Sequence, residues 1–231
     1  MRQQILQAVS SDCSKSRLIY ASTFRHADRT CKGKMELVPG SDDVRISSPG
    51  VKLTYDDFVQ FPDDGKRHEL IDGEHYVTPS PNRKHQRVSG NLYLMIGAWL
   101  EAHPIGQIYF APFDVIFSMF DVVEPDLLYL SNERAARVLT DANVKGAPEL
   151  VIEIGSEGTR GRDETIKRRL YERSGVAEYW IVDPEIDVVR VYRRGANSFG
   201  RPLELSAESN DTLTTPLLPG LSLPLSRIFR L

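Results

Sequence analysis

Cysteine is scarce: the 231-residue chain has two, Cys13 and Cys31, both near the N-terminus. Two thiols in one polar segment form no disulfide framework and are too few for a thiolate metal site. Histidine is sparse and unclustered, which argues against a dedicated zinc centre. No apolar run reaches the length of a membrane helix. The first residues lack the apolar core of a signal peptide, because Ile5-Leu6 and Ala8-Val9 are isolated in polar sequence. A cytoplasmic protein without a membrane partner is therefore expected. There is no glycine-rich phosphate loop, no nucleophilic serine motif and no internal repeat. Excess positive charge is missing too. Through Lys34 seven basic residues face two acidic ones, a net +5, whereas the remaining 22 basic and 30 acidic residues leave −8. A body of −8 is not the footprint of a general nucleic-acid binder, so any such contact has to come from a local basic patch.

What is present is an ordinary globular composition, 41% hydrophobic and 26% charged. Within it two acids sit where acids are costly. Val122-Val123-Glu124-Pro125-Asp126-Leu127-Leu128-Tyr129-Leu130 and Pro148-Glu149-Leu150-Val151-Ile152-Glu153-Ile154 both read as buried strands. An ionised carboxylate there costs several kcal/mol unless it is neutralised, paired or bound to a cation. Asp126 and Glu153 can share a divalent metal, form buried salt bridges, or lie at strand ends that reach solvent.

A loop at 155–159 leads into a helix over 162–174, with Ile166 and Leu170 on its inner face and Gly175 at its stop. Asp163 in the first turn suits the helix dipole, and an Asp163–Lys167 surface pair is the plain alternative for both. Lys167 and Tyr171 border the apolar stripe, however, and can turn back toward Glu153. Two acids and an amine on one sheet edge make a metal-hydrolysis site. Arg160, Arg162, Lys167, Arg168, Arg169 and Arg173 supply a basic patch beside it, or else a solvated helix face.

Several segments together resemble the PD-(D/E)XK nuclease superfamily and, within it, the bacterial Uma-type family of restriction-endonuclease-like proteins. They are HELIDGE (68–74), His85 opening a long helix, EPDLLYL (124–130), PELVIEIGS (148–156), RDETIKRRLYERSGVAEYWIVDP (162–184) and LLPGLSLPLSRIF (217–229). They run from about residue 53 to the C-terminus in family order, and GVAEYWIVDP after DETIKRRLY is the most specific. The superfamily places its lysine two residues after the glutamate, and that position here is Gly155. The resemblance implies that the amine has moved to Lys167. It implies catalytic residues Asp126, Glu153 and Lys167, with Asp126 and Glu153 holding Mg²⁺ or Mn²⁺ beside a backbone carbonyl near Ile154. Glu69 and His85 form a second tier, and Arg160, Arg162, Arg168 and Arg169 are the nucleic-acid contacts. DNA is the implied substrate, with a homodimer left open.

The fold class expected is α/β (α+β), a restriction-endonuclease-like core whose mixed β-sheet is flanked by helices. Residues 1–50 read as a disordered basic extension and 51–231 as the nuclease domain. Thr54-Tyr55-Asp56-Asp57 resembles a capping box, and Asp72-Gly73 joins a hairpin. A helix over 82–103 carries the stripe Val88, Leu92, Met95, Ile96, Trp99 and Leu100, with His85 at its N-terminal end. Strands are expected at 107–117, 122–130, 178–183 and 187–193. Two other classes stay open: a non-catalytic nucleic-acid-binding or assembly module on the same fold, and a metal-free carboxylate hydrolase such as a glycosidase.

Overall fold

Two prolines decide the architecture. The stretches 107–117 and 122–130, expected as single strands, are each broken, at Pro112 and at Pro125. Proline has no N–H to give to a ladder. The chain therefore leaves one sheet at each break and joins another. The structure is a computed structural model that describes residues 34–37, 44–47, 51–78, 80–155 and 160–231.

The elements are β1 (Lys34–Leu37), β2 (Val44–Ser47), α1 (Tyr55–Phe58), β3 (Arg67–Ile71), β4 (Glu74–Thr78), α2 (Arg83–Ala102), β5 (Gly106–Phe110), β6 (Val115–Ser118), β7 (Asp121–Val123), β8 (Leu127–Ser131), α3 (Asn132–Val138), β9 (Val144–Lys145) and β10 (Leu150–Ile154). Next come α4 (Arg160–Arg162), a π-helical turn (Asp163–Lys167) and α5 (Arg168–Ser174). Then follow β11 (Glu178–Asp183), β12 (Val188–Arg193), β13 (Leu203–Ser206), β14 (Thr212–Leu213), β15 (Leu223–Pro224) and α6 (Leu225–Ile228).

One sheet has the order β1-β2-β4-β3-β7-β6-β9 and the other β13-β12-β11-β10-β8-β5. The second is mixed: β10 runs parallel to β11 and antiparallel to β8. On one of its faces α2 packs Val88, Leu92, Ile96 and Leu100 against Leu127, Ile152 and Trp180. On the other, Leu170 and Tyr171 of α5 join Ile71, Val123, Val151 and Ile181, which draws residues of the first sheet into the same core. The mixed-sheet class expected from the sequence is what the chain forms. No helix among the described residues is long and apolar enough to cross a membrane.

Local signals act where the sequence puts them. Asp57 accepts the Thr54 backbone N–H at 2.8 Å, closing the capping box of α1. Asp72 and Gly73 have φ of 56° and 76°, the paired positive values of a type I′ hairpin turn. Asn82 caps α2 by accepting the His85 N–H at 2.9 Å. One boundary differs. The extension expected over 1–50 contains β1 and β2, and β2 pairs antiparallel with β4. Their two-residue alternation, Met35 and Leu37, then Val44 and Ile46, covers only four residues each. A period that short does not stand out in polar sequence. The rest of 1–50 lies outside the described residues.

Candidate active site

Both breaks in the strands lead to Asp126. It sits between β7 of one sheet and β8 of the other, directly after Pro125. The β8–β10 ladder pairs Leu128 with Val151 and Leu127 with Ile152. One step further, the same antiparallel register sets Asp126 opposite Glu153, on a shared face. Glu69 approaches from β3 in the first sheet. The site is thus a seam between two sheets, closed by the helix that follows β10.

Each acid is buried and each is paired. One Asp126 oxygen, Oδ1, lies 2.6 Å from the Arg67 guanidinium. The other, Oδ2, accepts the Ile154 backbone N–H at 2.8 Å and faces His85 Nε2 at 3.0 Å. Glu153 Oε1 accepts from Lys167 Nζ at 2.9 Å and from the Tyr171 hydroxyl at 2.5 Å. The same Lys167 ammonium lies 2.8 Å from Glu69 Oε1, which also accepts the Glu124 backbone N–H at 3.1 Å. Glu69 Oε2 is 3.5 Å from Arg162, whose guanidinium donates to Thr78 Oγ1 at 2.8 Å.

These surroundings split the acids electrostatically. Burial alone would raise all three. At Asp126 the His85 contact, the Arg67 charge and the Ile154 N–H outweigh it, so its carboxyl lies well below the usual range. At Glu69, Lys167 and Arg162 do the same. At Glu153 burial wins, and the charges of Asp126 and Glu69 add to it against Lys167, so this carboxyl is raised. Lys167 also loses solvation by burial, but the two carboxylates beside it raise its affinity for the proton.

Asp126, Glu153, Lys167, Glu69 and His85, singled out from the sequence, are all brought into this seam. The basic patch is not assembled as expected. Arg162 is buried against Glu69 and so is no surface contact. The π turn at 163–167 explains this. It holds an extra residue per turn, which lets Arg162, Asp163 and Lys167 all reach the interior. For the same reason Asp163 does not form the surface pair offered as an alternative. Arg168 is half-buried over the Tyr192 ring at 5.8 Å, and Arg173 pairs with Asp121 at 2.5 Å. On α5 both Arg169 and Arg173 are exposed, Arg173 with its ion partner and Arg169 with none among the described residues, and the Arg160 side chain lies outside the described residues.

Two members of the site have no sequence signal of their own. Arg67 precedes the HELIDGE segment and reads as a plain surface cation. Glu124 reads only as the neighbour of a Pro-Asp pair, yet its Oε2 is buried with no hydrogen-bond partner among the described residues. Burial first, and then Asp114 and Glu69, push that carboxyl up to about 7.

The donor set suits a hard cation in kind: carboxylate oxygens at a sheet seam, of which Glu124 Oε2 and Glu69 Oε2 have no hydrogen-bond partner among the described residues. As the side chains stand, no group of three or more His, Cys, Asp and Glu among the described residues is arranged to hold an ion. Arg67 and Lys167 pair with these carboxylates instead. Arg67 has room to leave, with 21% of its side chain exposed against 3% for Lys167.

Among solved structures, a putative nuclease belonging to DUF820 from Anabaena variabilis shares the fold, with a TM-score of 0.65 at 20% identity. The match covers 77% of this chain and 97% of that one. No curated protein matches. The profile of the Uma2 family, described as "Putative restriction endonuclease", matches residues 55–226. With that match covering most of the chain, the protein belongs to the Uma2 family of restriction-endonuclease-like proteins.

Proposed function

We propose that the protein is a metal-dependent endonuclease that hydrolyses DNA phosphodiester bonds. One observation carries the reading: a buried ammonium, Lys167, is fixed between Glu69 and Glu153 beside the Asp126 carboxylate. Asp126 and Glu153 would hold Mg²⁺ or Mn²⁺, which supplies a bound water of lowered pKa and positive charge at the scissile phosphate. Lys167 stays protonated at neutral pH, because two carboxylates favour its charge. Its ammonium, already oriented, stabilises negative charge developing on phosphate oxygens without reorganising. Glu69 and Glu153 keep that ammonium in place, and the Tyr171 hydroxyl donates to Glu153. His85 and the Ile154 N–H orient Asp126 by binding its Oδ2. Arg67, partly exposed beside Asp126, has a fork that can donate in pairs to the incoming phosphate.

The test is cleavage of supercoiled plasmid DNA with Mg²⁺, with Mn²⁺ and with chelator. Nicking that needs the ion and disappears in Asp126→Asn and Glu153→Gln supports the reading. Equal cleavage by both variants rejects it. A second reading, a nucleic-acid-binding module without catalysis, is favoured by one feature: Arg67, Arg162 and Lys167 already neutralise the three acids. Calorimetry showing no ion binding by the folded wild-type protein would select that reading.

A further inference from the structure

The inner face of α2 is packed on the sheet, and its outer face has no partner among the described residues. Leu94 stands at the centre of that outer face with 68% of its surface exposed. At 100° per residue Arg87, Gly90, Ala98 and Glu101 fall within about 40° of Leu94 on the helix circumference. Beside them a groove of about 500 Å³ opens between α2 and the edge strand β5, lined by Tyr93, Gly97 and Ile108 among others. Phe110, 56% exposed, packs edge-on to Tyr93 at the mouth of this face.

The order of these residues is palindromic about Leu94. Arg87 lies seven residues before it and Glu101 seven after, while Gly90 lies four before and Ala98 four after. Neither Arg87 nor Glu101 has an ion partner among the described residues, although both are exposed. A Cβ built on Gly90 or on Gly97 meets no heavy atom within 4 Å, so the chain's own packing does not require glycine at either place. Each glycine inside a helix costs about 1 kcal/mol relative to alanine. What glycine permits here is close approach by another backbone.

We infer that the outer face of α2 is a twofold interface for a second copy of this chain, with the two α2 helices antiparallel about Leu94. An isologous contact places residue i against j and j against i. The palindrome then sets Arg87 of one copy against Glu101 of the other, twice, and seats each Leu94 over the small residues at 90, 97 and 98 of its mate. Antiparallel helices that cross at about 20° keep positions seven residues either side of the crossing opposed. From Arg87 to Glu101 the contact runs about 21 Å along the helix at 1.5 Å per residue. Phe110 and the β5 edge flank it on one side and extend the apolar area. A like-charged or asymmetric partner would leave one of the two end charges unmatched, whereas a second copy matches both.

The experiment is the molar mass of the full chain by sedimentation equilibrium, with circular dichroism to check folding. Wild type is expected at twice the chain mass at about 10 µM, in the ordinary range for a small specific interface. Leu94→Glu should give single-chain mass with an unchanged melting curve. Arg87→Glu and Glu101→Arg should each weaken dimerisation about tenfold or more. The double variant Arg87→Glu/Glu101→Arg should recover most of that loss, because it restores opposite charges across the twofold. Single-chain mass for wild type at about 100 µM would overturn the inference, leaving the face to another occupant. So would a dimer indifferent to Leu94→Glu, or a double variant no stronger than either single one.

Discussion

Asp126 and Glu153 face one another across one step of a β ladder, yet they are held in opposite ways. Asp126 is bound by groups from three different elements: a partly exposed arginine, a buried histidine at a helix start and the Ile154 backbone N–H of β10. Glu153 is bound by Lys167 and Tyr171, both sealed beneath the helix after β10. Burial is alike for both acids and pushes both upward, so what separates them is whether their partners outweigh it. The partners outweigh burial at Asp126, and at Glu153 they do not. One carboxylate is held toward its charged form beside a partly exposed cation. The other depends on a fixed ammonium.

The largest effect comes from removing that fixed ammonium. Lys167→Met leaves Glu69 and Glu153 facing each other in a buried site, and breaking a buried pair from one side costs about 3–5 kcal/mol. Arg67→Met should cost less, about 1–2 kcal/mol, because Asp126 keeps His85 and the Ile154 N–H and Arg67 already touches solvent. Urea unfolding of the two variants measures the difference directly. Equal losses would erase the distinction between a partly exposed and a fixed cation.

A second effect separates the acids by the sign of their pH response. The Asp126 pKa is depressed on folding, so its contribution is present above the unfolded-state value and is lost as pH falls through the folded one. Asp126→Asn should therefore cost most at neutral pH and least in acid. The Glu153 pKa is raised, so folding favours its protonated form, and the benefit fades as pH rises through the folded value. Glu153→Gln should lose least, or gain, at neutral pH. Stability of both variants and wild type from acid to neutral pH checks this. Parallel curves for the two variants would show that one environment governs both acids.

The same contrast marks how far the sequence reaches. Asp126 and Glu153 are legible because an acid inside an apolar strand is conspicuous, and Lys167 because it borders an apolar stripe at helical spacing. Their electrostatic difference is not legible, since it depends on Arg67, His85 and Tyr171, which reach the seam from other elements. The hairpin at Asp72-Gly73 follows from turn chemistry alone, which acts within four residues. The division into two sheets at Pro112 and Pro125 needs the pairing of strands far apart in sequence. The inward turn of Arg162 depends on a π turn, and an arginine in a run of charged residues gives no local sign of one.

Arg162 and Arg169 put that last point to the smallest measurable test. Both look alike in sequence, as cations on one helical stretch. Arg162 is buried against Glu69 and Thr78, whereas Arg169 is exposed. Arg169→Met should change unfolding free energy by no more than about 0.5 kcal/mol, as surface substitutions do. It should weaken DNA binding and lower the slope of log affinity against log salt by about one, the release of one counterion. Arg162→Met should do the converse: it removes a cation from Glu69 and leaves Thr78 without its donor, so stability falls while the salt slope holds. Binding isotherms at several salt concentrations, read beside urea melts, distinguish the two arginines. If both variants flatten the salt slope alike, Arg162 reaches nucleic acid after all, and the helix must open to present it.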